Sequence, residues 1–185
     1  MPAFDQLTLG TSRLLLRPLR VTDADALHAV FSDPKVTRYW STPPGESVER
    51  ARSVIDRDIK AMAAGEYLRL GLERTDDTLL IGMCTLFAIS EPCRRAEIGY
   101  AMASHAWGNA YMDEALRALL NYGFSELRLN RVEADIDPRN RASARSLERL
   151  GFKKEGHLRE RWIVGDEVSD TALYGLLHRD WQSQA

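Results

Sequence analysis

The chain has 185 residues, 44% hydrophobic and 28% charged, which suits one soluble globular domain and is short for two. A formal net charge of −2 argues against a protein built to coat nucleic acid, because neutralising phosphates calls for a basic excess. Cys84 and Cys93 have no CxxC or zinc-like spacing, and His28, His105, His157 and His178 form no HxxxH or HExxH pattern, so reduced thiols, a cytoplasmic location and no metal site are expected.

The opening MPAFDQLTLG lacks the basic-then-apolar layout of a signal peptide, and no apolar run approaches the ~20 residues that span a bilayer. RLLLRPL, 13 to 19, reads as a first strand. Thr22 then opens T-D-A-D, a capping signature for a short helix with Ala26, Val30 and Phe31 on its apolar side. DPKVTRYWSTPPGE, 33 to 46, reads as a loop rich in proline and aromatics, and 47 to 64 as a second helix. Strands follow near 68 to 73 and 79 to 89, joined by a turn at Thr75, Asp76 and Asp77, with a third at 94 to 102. Met112, Ala115, Leu116, Leu119 and Leu120 recur as one buried face of a helix over about 111 to 126. A strand at 132 to 136, a helix at 140 to 150, and closing strands near 154 to 164 and 168 to 177 around a Gly165-Asp166 turn complete a mixed α/β domain.

Three stretches carry chemistry. The corner Trp107-Gly108-Asn109-Ala110-Tyr111 leads into a helix whose first N–H groups lack internal partners, and glycine lets an anion approach the backbone closely. The plain alternative is a turn at Gly108 with Asn109 capping the helix. In RRAEIGYAM, Ile98, Tyr100 and Met102 alternate with Glu97, Gly99 and Ala101, so the second face has room beside a carboxylate. In DPRNRASARSLERLGF, Ser143 shares a helical face with Leu147 and Leu150, an unusual place for a serine.

WGNAYMDEALRALLNYGF, NRVEADIDPRNRASARSLERLGFKKEGHLRE and DEVSDTALYGLL together resemble the GNAT N-acetyltransferase superfamily. Within it the likeness is to the branch of the RimJ and RimL ribosomal-protein N-terminal acetyltransferases, and it extends to RLLLRPL and DPKVTRYW. The resemblance implies a single α/β domain with a mixed, mostly antiparallel central sheet of about six to seven strands flanked by about four helices. It also implies acetyl-CoA as cosubstrate, a primary amine (a protein N-terminus or a small molecule) as acceptor, and no metal.

By that resemblance the backbone of Gly108, Asn109, Ala110 and Tyr111 holds the CoA diphosphate, with Trp107 standing where glutamine or arginine is usual. Ala110 replaces the usual glycine, which is tolerable if its φ is negative. Tyr100 and Met102 would bond the pantetheine arm through their backbone, and Asn140 would cap its helix and contact pantetheine. Glu97 is the candidate base, since an ammonium must lose a proton before it attacks a thioester; the alternative is a solvated glutamate. The family's acid is often a tyrosine seven residues after the asparagine, here Leu147, and Ser143 takes that role in the RimJ/RimL branch; a small buried serine is the rival reading. Tyr39 and Trp40, beside Arg38, and Trp162 would shape the acceptor pocket or plug the gap between helix and sheet. Two further functions stay open: a non-catalytic acyl-CoA-binding module, and an RNA-associated protein using the arginine-rich helix, itself more simply a solvated face. No DNA or membrane partner is expected, and the closing strands could support a homodimer.

Overall fold

The computed structural model describes residues 2–45 and 47–182; Met1, Glu46 (the end of the expected loop) and residues 183–185 lie outside the described residues. In chain order the elements are β1 (Leu9–Gly10), β2 (Leu14–Arg17), a 3-10 turn (Val21–Asp23), α1 (Ala24–Ser32), α2 (Pro34–Thr37), α3 (Val48–Ala63), β3 (Leu68–Arg74), β4 (Leu80–Ser90) and β5 (Arg95–Met102). A second 3-10 turn (Ser104–Ala106) follows, then α4 (Tyr111–Ser125), β6 (Arg131–Ile136), α5 (Arg141–Arg149), β7 (Lys153–Val164), β8 (Glu167–Leu177) and α6 (His178–Gln182).

The strands form one eight-stranded sheet in the order β1-β2-β3-β4-β5-β6-β8-β7. Every neighbouring pair is antiparallel except β5 and β6, which run parallel because α4 carries the chain across between them. That parallel ladder is short. It pairs Arg95 with Arg131, Ala96 with Val132 and Glu97 with Glu133, then stops although β5 runs on to Met102 and β6 to Ile136.

The two faces of the sheet bury different helices. Leu68, Leu70, Leu72, Ile98 and Met102 join Leu116, Leu119, Leu120 and Phe124 of α4 and Leu147 of α5 in the main core. On the other face, Leu19 and Leu80 pack with Leu27 of α1 and Ile55 of α3, and Ala101 packs with Val30. The heptad-like face expected for α4 is buried as read: Met112, Ala115, Leu116, Leu119 and Leu120 are all core residues.

Several local expectations needed correction. The first strand ends at Arg17, because Pro18 has no N–H for the ladder, and a two-residue partner, β1, precedes it. Thr22 does not cap the first helix. Asp23 closes that turn instead, its carboxylate accepting the Arg20 N–H at 2.6 Å and two bonds from Arg17 at 2.7 and 2.9 Å. The proline-rich loop contains α2, whose N–H at Lys35 donates to the Asp33 side chain. Ser47 caps α3 by accepting the Arg50 N–H.

Candidate active site

The site begins where the parallel ladder ends. In the β4–β5 pair the Ala103 N–H donates to the Ile81 carbonyl at 2.8 Å, and the Arg94 carbonyl, at the other end of β5, accepts from Asn130 on the β6 side. Backbone groups alternate sides along a strand, so Ile98, Tyr100 and Met102 turn theirs toward β6. Beyond Glu97 that side offers no ladder. The result is a wedge-shaped opening whose edge can bond an extended ligand as a strand would. Met102 presents its N–H there, but its carbonyl already accepts from Trp107 Nε1 at 2.8 Å.

A cleft of about 540 Å³ passes through this opening and is lined from both faces of the sheet. Glu97 and Gly99 border it on the face of α1, beside Thr85, Phe87 and Arg69; a Cβ at Gly99 would sit 3.2 Å from Thr85 and 3.5 Å from Phe87. Tyr100, Asn140 and Ser143 border it from the face of α4 and α5. Among the described residues Glu97 has no ion-pair partner. Partial burial, reinforced by the charge of Glu133 opposite it in the ladder, raises the pKa of Glu97 above the ordinary carboxyl value.

On the opposite wall Asn140 caps α5, its Oδ1 accepting the Ser143 N–H at 3.1 Å. Ser143 Oγ lies 2.7 Å from the Tyr100 hydroxyl, and burial pushes that phenol up to about 12. The tyrosine side chain is the cleft-lining polar group that sequence reasoning passed over, since only its backbone was assigned a role. Leu147 is fully buried and contributes nothing to the cleft.

The rim holds the aromatic residues expected there. Tyr39 lies between two guanidinium groups, Arg38 at 5.3 Å and Arg139 at 5.7 Å from its ring centre. Both arginines pair with Glu167 of β8, at 3.1 and 2.7 Å, so the first loop is fastened to the closing hairpin. Trp162 lines the same cleft, its Nε1 lying 3.4 Å from Asp135 Oδ1. Trp40 lines the cleft and packs edge-on against Phe31 with ring centres 4.9 Å apart.

The corner from Trp107 to Ala110 is exposed, Tyr111 is half-buried, and all of it stands apart from the cleft's lining. Gly108 has φ +81°, and a Cβ there would meet no atom within 4 Å, so the backbone is open to a ligand. Asn109 does not cap α4: its amide donates to the carbonyls of Ala106 and Trp107, each at 3.1 Å. Ala110 is the N-cap and takes φ 60°, ψ 11°, the left-handed region, which overturns the expectation of a negative φ. Its methyl cannot cap, so the first N–H groups of α4 are left for an anion. The corner is braced from behind. Glu114 accepts from Thr11, Ser12 and the Arg13 backbone, pairs with the Arg13 guanidinium at 2.7 Å, and Arg13 donates to the Asn109 carbonyl at 3.0 Å.

An extended ligand edge along the cleft and, apart from it, an exposed helix start with uncapped N–H groups suit a cosubstrate with a diphosphate and a long polyamide arm. The GNAT acetyltransferase domain matches residues 13–153. The chain belongs to the GNAT acetyltransferase family. The uncharacterized N-acetyltransferases p20 of Bacillus licheniformis and YoaA of Bacillus subtilis are 36% identical over 176 residues and 38% identical over 169 residues. These alignments cover 94% and 91% of this chain and 98% and 96% of the relatives. The crystal structure of a probable acetyltransferase superposes with a TM-score of 0.86 at 30% identity, covering 95% of this chain and 99% of the other. The protein is thus an acetyl-CoA-dependent N-acetyltransferase with the GNAT fold. Among the described residues no helix is long and apolar enough to cross a membrane, and no group of His, Cys, Asp or Glu is arranged to hold a metal.

Proposed function

We propose that this GNAT enzyme acetylates the α-amine of a protein or peptide N-terminus, the acceptor suggested by its likeness to the RimJ/RimL branch. Glu97 removes the ammonium proton, which frees the nitrogen lone pair to attack the thioester. Gly108, Asn109, Ala110 and Tyr111 hold the diphosphate through backbone N–H groups. Ile98, Tyr100 and Met102 hold the pantetheine arm along the β5 edge, beside Asn140. Ser143 donates a hydrogen bond to the departing sulfur. Tyr39, Trp40 and Trp162 form the walls against which the acceptor's first residues lie. The enzyme acts in the cytoplasm, and two copies associate through the closing strands.

The observation that carries this reading is the placement of Glu97 and Ser143 on opposite faces of the sheet, both opening into one cleft at the parting of β5 and β6. Acetyl-CoA titrated by calorimetry into wild type and Gly108→Asp tests the first half. Binding by wild type and its loss in the variant is the expected result, because the new carboxylate meets the diphosphate. Thiol release over a panel of peptides and small polyamines, with wild type and Glu97→Gln, tests the second half. Turnover of peptides with free N-termini, lowered at least a hundredfold in the variant, is expected. Turnover confined to polyamines refutes the N-terminal acceptor, and an unimpaired Glu97→Gln refutes the base.

A further inference from the structure

The hydrogen bond between Tyr100 and Ser143 has no place in the reading above. Ser143 Oγ and the Tyr100 hydroxyl are 2.7 Å apart at the cleft wall, one from the first turn of α5 and the other from the free edge of β5. We propose that Tyr100 is a positioning residue for the departing thiolate: it donates to Ser143 Oγ and so leaves the serine's own hydrogen to point at the sulfur.

The direction of the bond follows from chemistry. A phenol is the stronger acid, and its oxygen lone pairs are partly drawn into the ring, so the aliphatic hydroxyl is the better acceptor. Burial holds Tyr100 protonated across the neutral range, with a pKa of about 12, so it remains a donor while the enzyme works. The serine backbone is fixed as well, since its N–H is taken by Asn140 Oδ1. A hydroxyl that accepts one strong bond becomes a better donor in the next, because linked hydrogen bonds polarise one another. The charge on sulfur therefore meets an oriented dipole instead of a freely turning hydroxyl. The serine alone could rotate its hydrogen to the tyrosine; the tyrosine's donation prevents this.

No proton need leave Tyr100. Glu97 takes the ammonium proton and passes it to solvent, and the amine then adds to the thioester carbonyl. As the carbonyl re-forms, the C–S bond breaks with its electron pair on sulfur, while the surplus proton on nitrogen goes to Glu97. A thiol titrates near 8.5, so the leaving group can depart as a thiolate held by a hydrogen bond. Leu147 is a buried hydrocarbon with no hydroxyl to offer, and the strand tyrosine acts from the other side of the opening.

The proposal rests on the CoA site assigned above, and the test separates the two. Free CoA is bound to wild type, Tyr100→Phe and Ser143→Ala, and its thiolate absorbance is followed against pH. In wild type the bound thiol is expected to titrate below free CoA. Tyr100→Phe, which keeps the ring and its packing, should raise that value by about one pH unit, a tenfold loss of thiolate preference, while affinity for the thiol form at low pH is unchanged. Ser143→Ala should raise it at least as far, and the double variant no further than Ser143→Ala alone. Equal titration in wild type and Tyr100→Phe overturns the proposal and leaves the CoA site standing. A loss of affinity equal for thiol and thiolate also overturns it, since that marks a purely structural tyrosine. Failure of wild type to bind CoA overturns both.

Discussion

Ala110→Gly should make the protein more stable, and the size of the gain follows from one backbone angle. Ala110 holds φ 60°, ψ 11° at the start of α4, where the Cβ of an L-residue crowds its own backbone at a cost of about 1–2 kcal/mol. Glycine removes that strain but carries roughly 0.5–1 kcal/mol more conformational freedom in the unfolded chain. The Ala110 side chain is exposed, so no packing is lost. The net gain is then about 0.5–1 kcal/mol, which for a chain of this size raises the melting temperature by roughly 1–4 °C. Thermal unfolding followed by circular dichroism reads this directly. Ala110→Val is the opposing control, since a β-branched residue suffers most at positive φ, and it should lower the midpoint by several degrees. A lower or unchanged midpoint for glycine, together with a neutral valine, would show that the corner is not left-handed and that the diphosphate site was built on the wrong geometry.

Three other expectations are tied to charge and exposure. Because Glu97 must be ionised to act and its pKa is raised, first by burial and then by Glu133, log kcat/KM should climb with pH through a limb lying above the ordinary glutamate value of about 4.3, and a limb at or below that value refutes the assignment. Glu114 is pushed up by partial burial but is brought down overall, to about 2, by bonds from Thr11, Arg13 and Ser12, so it stabilises the fold fully above its unfolded pKa of 4.5 and loses that stabilisation as pH falls toward 2. The contribution is on the order of 3 kcal/mol, and denaturant unfolding of Glu114→Gln should show a smaller loss of stability over that window than wild type. Cys84 is wholly buried with a thiol pushed up to about 12, while Cys93 is exposed, so a thiol reagent should label Cys93 alone in the native protein and both after denaturation.

The readable parts of the chain were those where one residue type has one physical use. The apolar face of α4 and the alternation of β5 follow from the periods of helix and strand, and Asn140 before a helix signals a cap. The resemblance supplied the cofactor. What sequence could not supply was the partner across a gap. Alternation assigns Tyr100 to the α4 face but does not disclose that Ser143 waits there, because that contact joins residues 43 apart. Nor does a chain of letters reveal that the β5–β6 ladder stops after three pairs, since β-propensity is the same on either side of the break. The left-handed φ of Ala110 could not be read from its letter, because alanine ordinarily takes a negative φ. Thr22 does not cap the first helix, and the Asp23 carboxylate next to it is taken up by the Arg20 N–H and the buried Arg17 guanidinium.

The brevity of the β5–β6 ladder has a mechanical consequence. Five strands, β1 to β5, and three, β6 to β8, are sewn together by one short seam at the end of the sheet away from the opening. A pantetheine arm that bonds along β5 would act as a missing rib, giving the open part of that strand a neighbour on its free side. Cosubstrate would then be part of the scaffold during turnover, and each departure of CoA would leave the two groups of strands held by the short ladder, the shared core and the Glu167 ion pairs.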